Sequence, residues 1–427
     1  MGLTLIILSF TLFLTLSVPI ALVLASSTAL YLYLAAKMPL TSLIQQLFNG
    51  LDNFVLIAVP LFIFAGNIMG EGKLAEKLVA VMNLVAGRIT GGLAIGSVLS
   101  CVFFAAISGS SPATVIAIGS IMIPALIKAG YSERFSIGLL TSAGSLGILI
   151  PPSIPMILYA LVMNVSVAEI FLAGFLPGFF IGGCLIVYSY LVSRSYGWRS
   201  EQKYNVSEVK RIFYEGIWGM ILPFIVLGGI YGGIFTPTEA AAVSVIYAIF
   251  VETLIYKELS FATVMKIAKN SAILSACLLF ILSCAMTFVW LLTIEQIPQK
   301  MAEFIISNVK EKWLFLLAIN VLFLIIGSLM DIVTAVIVIS PILLETLKMF
   351  NIDPVHFGIV MIVNIECGFL TPPFGLNLFV SMAIMKKSLV EISRAIVPFL
   401  ILFIMCLIVM TYVPQISLLL PELLMRK

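Results

Sequence analysis

Two inverted-topology copies of one all-α, membrane-spanning unit are what this sequence predicts, on its composition, the register of its prolines and a pair of interrupted apolar stretches. Of the 427 residues, 62% are hydrophobic and 10% charged, with a mean hydropathy of +1.21. A soluble fold has too little polar surface to cover so much apolar area, so the solvent is a lipid bilayer. The spans are helical, because barrel strands would alternate in polarity and these runs do not. The net charge of +3 is small and the basic residues are scattered, which argues against any nucleic-acid role. Cys101, Cys184, Cys277, Cys284, Cys367 and Cys406 show no CxxC spacing and read as small core residues.

Proline marks where a membrane helix starts, kinks or breaks. Pro19 pairs with Pro237 at an offset of 218, Pro124 with Pro341 at 217, Pro151-Pro152 with Pro372-Pro373 at 221, and Pro177 with Pro398 at 221. Ser166 and Glu169 recur as Ser388 and Glu391, and Leu61-Phe62-Ile63 as Leu279-Phe280-Ile281. The copies are therefore about 1–210 and 211–427, joined by the polar segment 194–211.

In the first copy the expected elements are spans at 3–17, 18–36 and 52–70, a hairpin at 91–128, a broken helix at 133–163 and a span at 168–195. In the second they are spans at 216–235, 238–256 and 272–292, a hairpin at 314–348, a broken helix at 356–385 and a span at 395–413. About five spans per copy, an odd number, turn the second copy upside down. Met1 to Ser17 lacks a basic start and a cleavage site and is read as a retained span. The charged segments 71–88 and 295–312 read either as interfacial arms or as solvated loops. Of the 23 Lys and Arg, sixteen fall on the cytoplasmic side and seven outside if the N-terminus is outside, which puts both termini outside.

The segment Ala106–Thr114 lies between apolar arms of 91–107 and 113–128, each too short to span comfortably, and describes a re-entrant hairpin tip. Gly327–Thr334 repeats it. Gly147–Pro155 and Gly368–Asn377 hold the proline doublets, which remove amide donors and unwind the helix. The freed carbonyls, with nearby Ser and Thr hydroxyls, suit an alkali cation, and the fresh helix starts suit an anion. Asp331, the sole acid in either tip, is expected to serve a cation or substrate, or to cap its own arm. Glu366 reads as a proton or cation group or as a solvated acid lining a cavity, Glu239 as a helix-start residue, and the single histidine, His356, as a surface residue. An intramembrane enzyme is set aside, since HExxH, GxSxG and GxGD are all missing.

The chain resembles, essentially end to end, the large membrane subunit of a tripartite ATP-independent periplasmic (TRAP) transporter. The resemblance rests on AVPLFIFAGNIM (58–69), AISGSSPAT (106–114), AIGSIMIPALIKAGY (117–131), ILIPPSIPMILY (148–159), FLAGFLPGF (171–179), FTPTEAAA (235–242) and FLTPPFGLNLF (369–379). It implies an elevator-type importer, not an enzyme, with Na+ as coupling ion, in a bacterial or archaeal cytoplasmic (inner) membrane. The implied substrates are sialic acid, C4-dicarboxylates and similar carboxylates, and the implied partners are a small four-helix membrane subunit and a periplasmic substrate-binding protein. Carried over residue by residue, the sodium ligands are Ser108, Ser110 and Thr114 with Gly147 and Pro151, and Gly327 and Asp331 with Gly368 and Thr371. Substrate is implied between the tips, at Ser111, Ser153, Ser328 and Asn377. With no four-helix segment ahead of Gly2, the small subunit is expected as a separate chain. The rival is a self-sufficient sodium/dicarboxylate symporter, whose Ser-Asn-Thr tip triplets are absent here.

Overall fold

Of the prolines that set the repeat, Pro19 and Pro237 stand at helix starts, the doublets at breaks, and Pro124, Pro177, Pro341 and Pro398 inside helices in the computed structural model, which describes residues 2–87, 89–198, 205–373 and 375–426. Arg88, Arg199, Lys203 and Lys427, which entered the charge distribution, lie outside the described residues, as do the middle of the linker and Phe374 of the second break.

The first half runs α1 (Gly2–Thr15), α2 (Ile20–Tyr31), α3 (Thr41–Asn49), α4 (Ala58–Glu71) and α5 (Leu74–Ala86). A hairpin follows: α6 (Gly92–Ser108) descends to the tip, and α7 (Ser111–Thr114) returns through a π turn into α8 (Ser120–Lys128). The broken helix is α9 (Glu133–Gly144), ending in a 3-10 turn over Ser145–Ile148, and α10 (Ile154–Met163); α11 (Val167–Tyr196) closes the half. The second half repeats this order as α12 (Val206–Tyr231), α13 (Pro237–Phe250), α14 (Phe261–Ile294), α15 (Ile297–Asn308), hairpin α16 (Lys312–Gly327) and α17 (Ile332–Met349), broken helix α18 (Pro354–Phe369) and α19 (Leu376–Met385), and α20 (Leu389–Tyr412). A last helix, α21 (Gln415–Leu424), packs on α11 and α18. Eight helical stretches among the described residues are long and apolar enough to cross a membrane.

The halves pack by exchange. α13 lies on α4 while α14 lies on α2; α10 lies on α17 while α19 lies on α7 and its π turn; α20 lies on α9 while α11 lies on α18. Each element thus meets the partner of its own counterpart, the arrangement of a pseudo-two-fold axis. At the centre are α9 and α18, the leading halves of the broken helices. Every residue from Phe135 to Gly144 and from Val355 to Phe369 is buried, the polar ones Ser136, Thr141, Ser142, His356, Asn364 and Glu366 included. Association between the halves in lipid relies on packing and polar contacts, among them Thr141 to Ser381 at 2.6 Å and Asn67 to Ser271 at 2.9 Å.

Three features depart from the sequence expectation. α12, α14 and α20 start at Val206, Phe261 and Leu389, not at 216, 272 and 395, because polar residues such as Lys266 and Lys269 end an apolar run without ending a helix. Ser260 sets the earlier start by accepting from the Thr263 amide at 3.2 Å. In the first half the same stretch is two helices, α3 and α4, parted by Gly50–Asn53. His356, expected at the surface, is 3% exposed, because α21 covers it: its Nδ1 meets Ser417 Oγ at 2.7 Å. The segments 71–88 and 295–312 contain the helices α5 and α15, the former well buried against α6 and α12 and the latter lying on α17.

Candidate functional site

The first half-site forms where the α6–α7 tip meets the first break. Gly109, at φ +61°, turns the chain, and Ser110 caps α7 by accepting from the Ala113 amide at 3.5 Å. Ser108 Oγ and Thr114 Oγ1 share a hydrogen bond of 2.9 Å, and Thr114 Oγ1 donates to the Ser110 carbonyl at 2.9 Å. Gly147 approaches so closely that a Cβ there would lie 2.5 Å from both the Ser110 carbonyl oxygen and Thr114 Oγ1. Ser108, Ser110, Thr114 and Gly147 thus come together as expected, beside the buried Pro151-Pro152 peptide. Ser153 is buried and caps α10, accepting from the Met156 amide at 3.4 Å.

The second half-site joins the α16–α17 tip to the second break through backbone. A Cβ on Gly327 would lie 2.7 Å from the Ile365 carbonyl oxygen, and one on Gly368 would lie 2.5 Å from Gly327 Cα. The other expected residues turn to their own elements. Asp331 caps α17, accepting from the Thr334 amide at 2.8 Å and the Thr334 hydroxyl at 2.7 Å. Thr371 Oγ1 donates to the Cys367 carbonyl at 2.8 Å, and Ser328 Oγ to that of Ile325 at 2.8 Å. Glu239 likewise closes a capping box with Thr236 at the start of α13.

Between the half-sites lies a cavity of about 500 Å³. Ser108, Ser110 and Ser111 line it from the first tip and Asp331 from the second, with Asn67 and Glu71 of α4 and Leu274 and Leu278 of α14 opposite. The first residues of four helices, Ser111, Ile154, Ile332 and Leu376, all face it. Four amide-rich, electropositive helix ends therefore converge on one space, and Asp331 occupies that of α17. Of the expected substrate residues Ser111 lines the cavity, whereas Ser153, Ser328 and Asn377 are not among its walls. Asn67 and Glu71 were missed by the sequence, since one amide and one acid at the end of an ordinary apolar span carry no signal of their own. A second groove of about 610 Å³ between α11 and α20 is almost wholly apolar and offers nothing to hold an anion.

Glu366 is fully buried rather than solvated. Ser111 Oγ donates to its Oε2 at 3.1 Å and Asn377 Nδ2 to its Oε1 at 2.7 Å; the same amide nitrogen donates to Ser145 Oγ at 3.2 Å. Ser111, Ser145 and Asn377 thus gather about one carboxylate, and the Ser111–Glu366 and Asn377–Ser145 contacts join residues 255 and 232 apart that no local pattern could pair. No group of three or more His, Cys, Asp or Glu that could hold a metal occurs among the described residues. The oxygens of the tips and breaks are mostly neutral, a set that suits hard monovalent ions better than transition metals.

The chain has relatives among known proteins. The family model for the tripartite ATP-independent periplasmic transporter DctM component matches residues 5–416. The C4-dicarboxylate TRAP transporter large permease protein DctM of Rhodobacter capsulatus is 39% identical over 95% of this chain and 96% of its own length. The isethionate TRAP transporter permease protein DctMQ of Oleidesulfovibrio alaskensis is 39% identical over 95% of this chain, which spans 64% of that relative. Among solved structures, the YdaH transporter of Alcanivorax borkumensis superposes with a TM-score of 0.64 over 87% of this chain and 88% of its own, at 14% identity, a likeness of fold alone. The chain belongs to the DctM family, the large permease component of tripartite ATP-independent periplasmic transporters.

Proposed function

We propose that this permease takes up a small organic anion by sodium-coupled elevator movement, the substrate being a C4-dicarboxylate, sialic acid or a similar carboxylate. One observation carries the reading: four helix starts, the Ser108, Ser110 and Ser111 hydroxyls and the Asp331 carboxylate line a single cavity of about 500 Å³, a means of gripping an anion and alkali cations together. That volume suits a small ligand. One sodium ion is assigned to Ser108, Ser110, Thr114 and Gly147, and a second to the backbone at Gly327, Gly368 and Thr371, with Asp331 supplying negative charge nearby. The anion is assigned to the cavity wall at Ser111, against the starts of α7, α10 and α19. The names of the C4-dicarboxylate and isethionate relatives support an organic-anion substrate.

The positive-inside distribution puts both termini in the periplasm and the C-terminal end of α4 in the cytoplasm. The cavity reaches Gly70 and the exposed Glu71 at that end, so this conformation is read as open inward. The hairpins and broken helices are assigned to the moving part, and α5 and α15 to the arms that join it to the frame. A small four-helix membrane subunit and a periplasmic binding protein complete the system. The extra length of the DctMQ relative supports a second membrane component.

Proteoliposomes holding the chain and its small subunit test this. Uptake is expected only with an inward sodium gradient and a loaded binding protein. Uptake by the chain alone that ignores sodium overturns the proposal, and uptake by the chain alone that needs sodium marks a self-sufficient symporter instead.

A further inference from the structure

We infer that Glu252 is a positioning residue for the elevator step: it pins the start of the α5 arm to the frame, so that the first hairpin swings about the far end of its arm and the second about the near end. This rests on the reading of the chain as an elevator permease with α5 and α15 as its arms. Glu252 stands in the π turn Val251–Ile255 that ends α13 and is fully buried. Its carboxylate serves another element: the Lys73 amide donates to Oε2 at 3.0 Å and the Leu74 amide to Oε1 at 2.8 Å. These amides stand at the start of α5, where a helix has no partners of its own to offer them. Gly72 leaves room for the carboxylate, since a Cβ there would lie 2.1 Å from Glu252 Cδ.

The flank of α5 is tied to the frame as well. Lys73 Nζ pairs with Glu258 at 2.6 Å, and Lys77 Nζ with Glu215 of α12 at 2.7 Å. Gly216 and Gly219 bring α12 so close that Cβ atoms there would lie 2.2 Å from Val81 Cγ2 and 3.0 Å from Leu74 Cδ2. With its start fixed, α5 leaves the motion to residues 87–92, which hold Gly87, Gly91 and Gly92, Gly91 at φ +75°. The second arm is built the other way round. Tyr31, just before the counterpart π turn Leu32–Ala36, donates to Glu295 on the frame side of the bend, not to the arm. Gln296 makes the bend at φ +55° without a side-chain cap, and α15 then lies on α17. The connection onward to α16, residues 309–311, contains no glycine. Motion of the second hairpin is therefore taken up at Gln296, and α15 travels with α17.

Distances between pairs of spin labels test this on the large and small subunits in liposomes, without sodium and with it, in a Cys277→Ser background. Every label replaces an exposed residue. From Glu76→Cys on α5, the distance to Leu254→Cys on the frame is expected to hold and that to Lys128→Cys on the hairpin to shift. From Glu303→Cys on α15, the distance to Ile294→Cys on the frame is expected to shift and that to Met349→Cys on the hairpin to hold. Glu252→Ala is expected to broaden the Glu76 to Leu254 distance. It is also expected to cut the maximal rate of uptake several-fold at an unchanged half-saturating sodium concentration, since the ion sites lie on other elements. Glu252→Gln keeps the shape and one acceptor oxygen and is expected to fall between the two; it stands in if the alanine variant does not fold. The same pattern of distances in both arms overturns this inference alone, as does a parental distance and rate in Glu252→Ala, or in Glu252→Gln where only that variant folds. No shift in any pair overturns the elevator reading together with it.

Discussion

The two half-sites share one backbone plan and differ in how closely the rest of the protein covers them. In the first, Ser108, Ser111, Thr114 and Pro151 through Ser153 are all buried. In the second, Leu329 is 59% exposed and Pro372 and Pro373 are exposed. The chemistry follows the same divide. At the 221 offset, the hydroxyls of Ser110 and Ser145 become the carboxylates of Asp331 and Glu366. Proline and glycine spacing therefore sets where the chain breaks, and the side chains around the break decide what is sealed and what carries charge. The covered half holds neutral oxygens against Gly147, and the less covered half brings the Asp331 carboxylate to the wall of the cavity.

The largest effects are expected where both halves rely on glycine. Gly147→Ala drives a Cβ into the Ser110 carbonyl, and Gly368→Ala drives one into the Gly327 backbone. Each is expected to cut uptake by about a hundredfold or more while the protein still reaches the membrane, since displacements of about 1 Å in a positioned site cost on that order. Equal losses would place the asymmetry outside the glycine contacts. A tolerated Gly368→Ala would mean that the second half-site yields where the first cannot.

Exposure itself is open to measurement. In a Cys277→Ser background, which removes the exposed native thiol, a hydrophilic maleimide is expected to label Leu329→Cys at least about ten times faster than Ser111→Cys, because reaction needs an accessible thiolate. Similar rates would erase the distinction between the covered and the less covered half. A smaller effect separates hydroxyl from carboxylate. Asparagine caps a helix as well as aspartate does, so Asp331→Asn is expected to raise the sodium concentration for half-maximal uptake several-fold with melting unchanged. Ser110→Ala removes a cap and keeps the carbonyl that faces Gly147, so it is expected to cost about 1 kcal/mol of stability with little change in sodium dependence. The reverse pattern would mean that the Ser110 hydroxyl, not its carbonyl, holds the ion.

Much of this was legible in the sequence because the signals were local. Doubled prolines unwind a helix wherever they stand, and Ser-Gly-Ser-Ser-Pro can only be a turn followed by a capped helix start. What stayed hidden depends on neighbours distant in the chain. Asn377 looks like a substrate ligand beside TPPFG until it is seen to donate to Glu366 and Ser145. His356 follows Asp353-Pro354, a surface signature, and only the unexpected α21 buries it. Helix ends were displaced for a related reason, since hydropathy reports where hydrocarbon ends and capping residues such as Ser260 report where the helix begins.

The halves diverge once more at their edges, where the last prediction falls. Glu391 closes a capping box with Ser388 at the start of α20, whereas its counterpart Glu169 is drawn to Arg426, which also binds Asp353 at 2.6 Å. Burial by itself would raise the Asp353 carboxyl, but the Arg426 hydrogen bond and the amides of His356 and Val355 outweigh it and hold it below the usual carboxylate range. A carboxyl depressed in the folded state contributes stability that is fully present above its unfolded value, about 3.9, and is lost as pH falls from there through the folded value. The pair is partly exposed, so the contribution is at most about 1 kcal/mol. Melting of the purified protein is therefore expected to drop between about pH 4 and pH 3, and Arg426→Ala is expected to remove part of that drop while lowering stability slightly at pH 7. An Arg426→Ala melting profile parallel to the parent's would show that the first half gains nothing from the corner its counterpart lacks.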